Sequence, residues 1–314
     1  MTISFNPQPA KIIILITYFG KLPKFINYFL LTCAHNKNID FLFFSDDESM
    51  SELYSSNNIK FIYSNIEIFN KLSTEKLATP IAIKSGYKLC DFKPMYGKIY
   101  EDYTQNYEFW GYCDIDLVLG DTSKILTEAY LQTVDVVSAH SQYMSGPFSL
   151  FRNVPEVNSL FRMSRDFEKI ISKQKHFCFD EASTVIEKLW SGGNIFDYPT
   201  EIESMTHIVK KLDNRKVRVD FNESIVERVE SRLTWEEGIL KDKSGKEIAL
   251  FHFIVYKGLL LFNVPEFKST SKFYFEKNGY FLPGVESRTV GWVKSIADNF
   301  STKAWGKIRK ILAT

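Results

Sequence analysis

The sequence contains few cysteines for its 314 residues: Cys33, Cys90, Cys113 and Cys178, with no CxxC pair among them. This spacing excludes a zinc ribbon and a disulfide framework, and it is typical of a reducing cytosol. Long apolar runs are also missing. The run at residues 12–16 is too short for a signal peptide, and none approaches the roughly 20 residues of a membrane span. We therefore expect a cytoplasmic protein.

An excess of charge of one sign is absent as well. The chain has 39 Lys and Arg against 38 Asp and Glu, a net charge of +1, which provides no overall field to attract nucleic acid. Hydrophobic residues make up 45% and charged residues 25%, as in ordinary globular proteins. Aromatic residues make up 15%, including 27 Phe and 16 Tyr. They suit both a large core and a sugar-binding cleft, so composition does not choose between these uses.

Apolar runs and helical spacing alternate in the first half of the chain. Residues 11–16, 40–45 and 59–63 predict strands, and residues 24–35, after Pro23, predict a helix. Runs that are apolar on both faces suit buried parallel strands. This opening predicts the nucleotide-binding type of α/β sheet. Further helices are predicted at 94–103, 123–130 and 157–172, and a strand at 135–139.

The second half is richer in predicted strands. Residues 216–221 alternate like an edge strand, and residues 233–240 and 247–253 flank a turn at 242–245, which predicts a hairpin. From 287 to 312, apolar residues recur at helical spacing, and Trp305 lies among Lys and Arg. This composition is typical of an interfacial membrane anchor. The alternative is a C-terminal helix that packs on its own domain.

The strongest local signal for chemistry is the pair Asp114 and Asp116, which follows the predicted strand 109–113. In α/β sheets, ligand sites lie at the carboxyl ends of strands. Two carboxylates separated by one residue can reach one divalent cation, and Mg²⁺ or Mn²⁺ accepts such oxygen ligands and bridges to a diphosphate. Ordinary exposed acidic residues would give the same pattern by chance.

The surroundings of this pair resemble a known group of enzymes. The segments are DFKPMYG at 91–97, FWGYCDID at 109–116, GD at 120–121, SGPFSLFRN at 145–153, CFDE at 178–181 and HF at 252–253. In this order they resemble bacterial glycosyltransferases of surface-polysaccharide gene clusters, which make O-antigen, capsule or exopolysaccharide. The resemblance extends to about residue 260, and the tail is not covered.

The resemblance implies a GT-A fold: a Rossmann-like nucleotide-binding sheet with a DxD strand end, joined to an acceptor-binding half. We expect a glycosyltransferase domain at 1–265, with a nucleotide-sugar half to about 120 and an acceptor half at 121–265, then a C-terminal extension at 266–314. It also implies a Mn²⁺ or Mg²⁺ cofactor held by Asp114, Asp116 and His252. His252 lies in an apolar run, so a core histidine is the alternative.

The same likeness implies a set of residues that bind the nucleotide sugar: Thr17, Tyr18, Gly20, Asp46, Lys93, Tyr96, Asp114 and Lys257. Lys93 and Lys257 would contact phosphate or sugar groups, and Tyr96 would form a wall of the pocket. Each also has an ordinary interpretation, as a core or surface residue.

An inverting transferase needs a general base, because an alcohol is a poor nucleophile at neutral pH. Asp180 and Glu181 are the candidates, and their position resembles the acidic motif that supplies the base in many inverting GT-A enzymes. Both precede a predicted helix at 182–190, so they could instead stabilise its N-terminus. The sequence does not choose between them, and a retaining mechanism would need no such base.

The expected function is metal-dependent transfer of a sugar from a nucleotide sugar, with UDP favoured, to a glycan acceptor. By analogy this acceptor is lipid-linked and lies at the inner face of the plasma membrane. One alternative is a nucleotidyltransferase, although residues 18–21 supply only one glycine for a phosphate loop. Another is a non-catalytic carbohydrate-binding component of a polysaccharide assembly complex. Donor sugar, linkage and oligomeric state are not readable from the sequence.

Overall fold

A computed structural model describes residues 12–212 and 215–284. The predicted amphipathic helix at 287–312 lies outside the described residues. The strands of the described part are β1 Ile12–Tyr18, β2 Ile39–Ser45, β3 Ile59–Tyr63, β4 Phe109–Cys113, β5 Leu117–Leu119, β6 Val136–Ser138, β7 Phe148–Arg152, β8 Val219–Phe221, β9 Ile225–Val226, β10 Leu233–Glu236, β11 Ile239–Lys241, β12 Leu250–His252, β13 Lys272–Glu276 and β14 Gly279–Phe281.

The α-helices of the described part are α1 Ile26–His35, α2 Ile66–Leu77, α3 Tyr96–Ile99, α4 Glu101–Thr104, α5 Glu128–Leu131, α6 Pro155–Asn158, α7 Phe167–Ser172, α8 Ile186–Trp190, α9 Met205–Lys210 and α10 Ile254–Lys257. Short 3₁₀ helices span Glu48–Glu52, Gly86–Met95, Thr122–Lys124, Leu160–Met163 and Ile195–Asp197. None of the helices in the described ranges has the length and apolar character needed to cross a bilayer.

The main sheet has seven strands in the order β3-β2-β1-β4-β7-β6-β8. Strands β1, β2, β3 and β4 are parallel neighbours, whereas β7 runs antiparallel to both β4 and β6. The strands β1, β2 and β4 are apolar and buried on both faces, as their sequences predict. The core consists of two large hydrophobic clusters. The buried residues of helix α1 and Phe109 belong to one cluster, and Trp110 belongs to the other. The α/β class is as predicted.

A second, three-stranded sheet has the order β5-β12-β9 and positions the late histidine. Strand β12 pairs antiparallel with β5, with His252 opposite Leu117, and parallel with β9. Strand β5 begins directly after Asp116. The register therefore brings residue 252 next to the aspartate pair, across more than 130 residues of sequence.

The hairpin predicted about residues 242–245 is confirmed next to its turn, where Lys241 pairs antiparallel with Glu247 and the backbone N–H of Ile248 donates to the carbonyl of Leu240 at 2.9 Å, but its arms are shorter than predicted. Strand β10 pairs with β11, and the chain turns at Glu237 and Gly238, both with positive φ (48° and 88°). Positive φ at both central positions is the backbone that a two-residue hairpin requires. Residues 242–245 do form a turn, but they lead into β12, which joins the other sheet. The predicted helix at 157–172 is also interrupted and forms α6, a 3₁₀ turn and α7.

The third sheet has the order β11-β10-β13-β14. Strand β13 pairs with β10, and β14 pairs with β13, so residues 272–281 belong to the folded body. The boundary that we expected at residue 265 therefore falls before two strands of this sheet. Phe273 and Phe275 alternate with polar residues and are buried, a period-2 pattern that marks a half-buried strand.

Asp135 joins three strands at the far edge of the main sheet. Its carboxylate accepts hydrogen bonds from Arg152 Nε at 2.7 Å, from Arg218 Nη2 at 2.8 Å and from the Arg218 backbone N–H at 2.9 Å. These bonds, chiefly those from Arg218, hold the pKa of Asp135 well below its usual range. A carboxylate with a lowered pKa stabilises the fold above its unfolded pKa of about 4, and this stabilisation is lost as pH falls.

We predict that Asp135→Asn lowers the free energy of unfolding by about 3 kcal/mol at pH 7, because two guanidinium groups lose their anionic partner. Urea unfolding measured at several pH values checks this, and the difference from the wild-type protein should shrink below about pH 4. Asp197→Asn, at an exposed position, serves as the control. An equal loss of stability in both variants at pH 7 would contradict the assigned role.

Candidate active site

The carboxyl ends of β1, β2 and β4 meet at one edge of the main sheet, because these strands are parallel neighbours. Tyr18 ends β1, Asp46 directly follows β2, and Asp114 directly follows β4. In open α/β sheets this edge is where ligands bind. The predicted nucleotide and metal residues from three distant parts of the sequence are thus brought to one edge.

Three potential metal ligands converge here. The side chains of Asp114, Asp116 and His252 each offer one ligand atom, and these atoms lie within 4.8 Å of one another. His252 Nε2 is 3.3 Å from Asp116 Oδ2 and 4.0 Å from Asp114 Oδ2. Asp116 and His252 are buried, each 3% exposed, whereas the Asp114 side chain is 29% exposed. Asp114 therefore lies on the open side of the cluster.

Glu227 fixes the orientation of His252. Its Oε1 lies 2.8 Å from His252 Nδ1, which leaves Nε2 facing the two aspartates without a hydrogen bond. A carboxylate on the second ring nitrogen is the usual partner of a metal-binding histidine. Burial lowers the pKa of His252, but the neighbouring carboxylates of Asp116 and Glu227 outweigh this effect and raise the pKa to about 9. The sequence gives no periodic or motif signal for Glu227, so it was missed.

The residues of this cluster fit a divalent cation. Two carboxylates and one imidazole form a mixed oxygen and nitrogen set that Mn²⁺ accepts, and the oxygen atoms also suit Mg²⁺. The buried Nε2 atom of His252 faces the carboxylates of Asp116 and Asp114, the two other candidate ligands, and makes no hydrogen bond among the described residues. Lys257 Nζ lies 2.7 Å from Asp116 Oδ2, and its side chain is 41% exposed. The cluster therefore already attracts positive charge.

Lys93 connects this cluster to the candidate bases. Its Nζ donates to Asp114 Oδ1 at 2.7 Å and to the carbonyl of Gly146 at 2.9 Å, and it lies 3.4 Å from Asp180 Oδ2. Burial lowers the pKa of Lys93, but Asp114 and other nearby groups outweigh this and hold the pKa well above its usual range. The ammonium group is therefore a buried positive charge shared by two carboxylates.

Asp180 and Glu181 differ in accessibility. Asp180 is buried, 3% exposed, and its Oδ1 has no hydrogen-bond partner. Glu181 is partly exposed, and its Oε1 accepts from the backbone N–H of Gly146 at 3.3 Å. A Cβ at position 146 would lie 2.7 Å from Glu181 Oε1, so a larger residue there would displace the Glu181 side chain from its present position. Burial raises the pKa of both carboxyl groups, more strongly for Asp180.

Asp91, from the DFKPMYG segment, holds the loop that carries these two residues. Its carboxylate accepts from the backbone N–H groups of Phe177 and Phe179 and pairs with buried Lys88 at 2.7 Å. Asp91, His176 and Asp180 also have ligand atoms within 4.8 Å of one another. These donors occupy the carboxylate of Asp91. Asp91 therefore holds the loop at residues 177–179 in place.

The remaining predicted residues are placed as follows. The backbone N–H of Gly20 donates to Asp46 Oδ1 at 2.6 Å, which connects the ends of β1 and β2. Thr17 is hydrogen-bonded to the Tyr100 hydroxyl at 2.8 Å, and Tyr18 is partly exposed. Tyr96 is 2% exposed and packs edge-on against Tyr100, so its ring lies in the core beneath the edge of the sheet.

The fold and this site define an α/β protein with a carboxylate and histidine cluster at the carboxyl edge of its sheet. The profile of a family described as "Family of unknown function (DUF6625)" matches residues 14–278, so the chain belongs to this family. A search of curated proteins finds no match.

Several solved structures are similar to the chain. One is the galactosyltransferase LgtC in complex with donor and acceptor sugar analogs, at 13% identity over 77% of this chain and 87% of its own, with a TM-score of 0.35. An active-site mutant of LgtC matches at 12% identity and the same coverage, with a TM-score of 0.33. Mouse xyloside xylosyltransferase 1 matches at 11% identity over 51% of this chain and 71% of its own, with a TM-score of 0.31.

We predict that Glu227→Gln weakens Mn²⁺ binding by about 10-fold, because the carboxylate that orients His252 and increases its basicity is lost. Titration of free Mn²⁺ by electron paramagnetic resonance measures this directly. Glu230→Gln, an exposed neighbour in the same segment, is the matched control and should bind like the wild-type protein. Equal Mn²⁺ affinity of Glu227→Gln and the control would refute the orienting role.

Proposed function

We propose that this protein is a metal-dependent glycosyltransferase of the GT-A type that moves a sugar from a nucleotide sugar, preferably a UDP-sugar, to a glycan acceptor with inversion. The observation that carries the proposal is the convergence of Asp114, Asp116 and His252 at the carboxyl edge of the sheet. The DFKPMYG, WGYCDID and CFDE segments, whose likeness to surface-polysaccharide transferases is given above, all contribute to this one site.

In the proposed reaction, Asp114, Asp116 and His252 would hold a divalent cation. When bound, Mn²⁺ or Mg²⁺ supplies Lewis-acid stabilisation of a diphosphate leaving group. Lys257, whose ammonium group is near Asp116 and partly exposed, adds positive charge for the same group. Thr17, Tyr18, Gly20 and Asp46 lie at the strand ends, where the nucleotide would bind.

We assign the general base to Glu181. The base must reach the acceptor hydroxyl within hydrogen-bonding distance, and Glu181 is partly exposed whereas Asp180 is buried. A raised pKa makes Glu181 a stronger proton acceptor once it is ionised. Asp180 instead sits against Lys93, which also contacts Asp114. The proposed role of Asp180 is to hold the ammonium group of Lys93 between the candidate metal ligand Asp114 and the base Glu181.

A donor screen tests the proposal. The protein is incubated with UDP-sugars and GDP-sugars, with and without Mn²⁺, and released nucleotide is measured. We expect release of a nucleoside diphosphate that requires the metal. In Glu181→Gln, release should fall by about 10²–10⁴-fold, because the attacking acceptor or water loses its base, while UDP affinity stays unchanged.

Glu187→Gln, exposed on α8, is the control for this screen and should keep full activity. Undiminished release by Glu181→Gln would contradict the assignment of the base. Formation of pyrophosphate from a nucleoside triphosphate and a sugar phosphate would point to a nucleotidyltransferase instead. Metal-independent release would contradict the role of the aspartate pair.

We further propose that the protein acts in the cytoplasm, on a lipid-linked acceptor of bacterial surface-polysaccharide synthesis at the inner face of the plasma membrane. The support is the basic, Trp-containing composition of residues 287–312. A chain that ends at residue 284 should co-sediment less with vesicles that contain phosphatidylglycerol than the full chain does. Equal co-sedimentation would overturn this part of the proposal.

A further inference from the structure

A cleft of about 430 Å³ opens beside the loop at residues 140–146, outside the metal cluster. Its lining residues are Ser141, Gln142, Gly192, Gly193, Asn194, Phe196 and Lys210. The set combines a hydroxyl, two amides and an ammonium group with one aromatic ring, and it contains no acidic side chain. Two adjacent glycines leave part of the wall free of side chains.

This chemistry suits a sugar ring. A pyranose presents hydroxyl groups around its rim, which amide, hydroxyl and ammonium groups can bind, and an apolar face, which packs on an aromatic ring. Phe196 is 45% exposed in the cleft. Trp190, 50% exposed, lies two residues before Gly192, and its indole N–H donates to the Tyr143 hydroxyl at 3.1 Å. Both rings are therefore accessible to a ligand from solvent.

The loop that forms one wall of the cleft is joined to the metal cluster. The rings of His140 and Tyr143, on either side of Ser141 and Gln142, stack with centroids 4.5 Å apart. His140 Nε2 lies 3.8 Å from Glu227 Oε1, and the same oxygen lies 2.8 Å from His252 Nδ1. The carboxylate of Glu227 therefore lies between His140, at the start of this loop, and the candidate metal ligand His252.

The same loop is joined to the candidate base. The backbone N–H of Gly146 donates to Glu181 Oε1 at 3.3 Å. The hydroxyl of Thr206 donates to the carbonyl of Glu181 at 2.7 Å and accepts from the backbone N–H of Met144 at 2.9 Å. One short loop thus contacts the cleft, the base and the carboxylate that orients the metal ligand.

We infer that this cleft is the acceptor subsite, and that it binds a pyranose of the glycan acceptor, with Phe196 and Trp190 providing its aromatic faces. The inference rests on the proposed function and adds to it the place and the chemical class of the acceptor. The cleft is lined by residues of the loop at 140–146, of the segment 192–196 that follows α8, and of α9, all beyond residue 120. Trp190, the last residue of α8, is connected to the same loop by its hydrogen bond to Tyr143. Gly146, at the end of the loop that lines the cleft, donates to Glu181, so the proposed subsite and the candidate base share this loop.

The test uses the full chain with UDP and Mn²⁺ and a panel of methyl pyranosides as probes: the α and β methyl glycosides of glucose, galactose and mannose. Binding is followed by saturation-transfer NMR, in which UDP and glycoside signals are recorded in one sample. We expect at least one glycoside to receive saturation from the wild-type protein. Its signal should fall at least five-fold in Phe196→Ala and in Trp190→Ala, while the UDP signal stays the same.

Leu260→Ala, at a site 86% exposed and outside the cleft, is the matched control and should keep both signals. Glycoside signals unchanged in both aromatic variants, or no glycoside signal with the wild-type protein, would overturn the acceptor subsite. Competition between UDP and the glycoside would also overturn it, because the cleft would then hold the nucleotide. Absence of a UDP signal with the wild-type protein would instead contradict the proposed function, so the two failures are distinguishable.

Discussion

Two acidic side chains close together in a largely buried place require positive charge, and this electrostatic constraint organises the site. Burying an ionised carboxylate costs several kcal/mol unless it is compensated. Around Asp114 and Asp116 the compensation comes from Lys93, Lys257 and His252. A divalent cation would satisfy the same requirement more completely, because it places two charges between the ligand atoms.

The sheet that positions these charges was largely predictable, because its strands are long, apolar on both faces and punctuated by turns. The strand before Asp114 and the strands 12–18 and 39–45 follow directly from such runs. The boundaries of short elements did not follow. The helix expected at 157–172 is divided because Pro155 starts one short helix and the chain turns again near Ser164.

The partners of the site were less accessible to sequence reasoning, because they depend on pairing between distant segments. The resemblance places residue 252 near the aspartates, whereas the predicted hairpin holds only at residues 240–248, and residues 250–252 pair with other strands. Its pairing with 117–119 and 225–226 is a register that no local pattern encodes. Glu227 acts through a histidine ring nitrogen, and Asp91 acts through the backbone N–H groups of Phe177 and Phe179. Such contacts leave no periodic pattern in the sequence.

The proposed function depends on the aspartate pair and His252 holding the cation that binds the nucleotide diphosphate. The most direct measurement is an anomalous difference map from crystals soaked with Mn²⁺ and UDP. We expect one strong peak within coordination distance of Asp114, Asp116 and His252, with the UDP phosphates on its open side next to Asp114. A Mn²⁺ peak elsewhere, with Lys257 and His252 still in contact with Asp116, would contradict the proposed function.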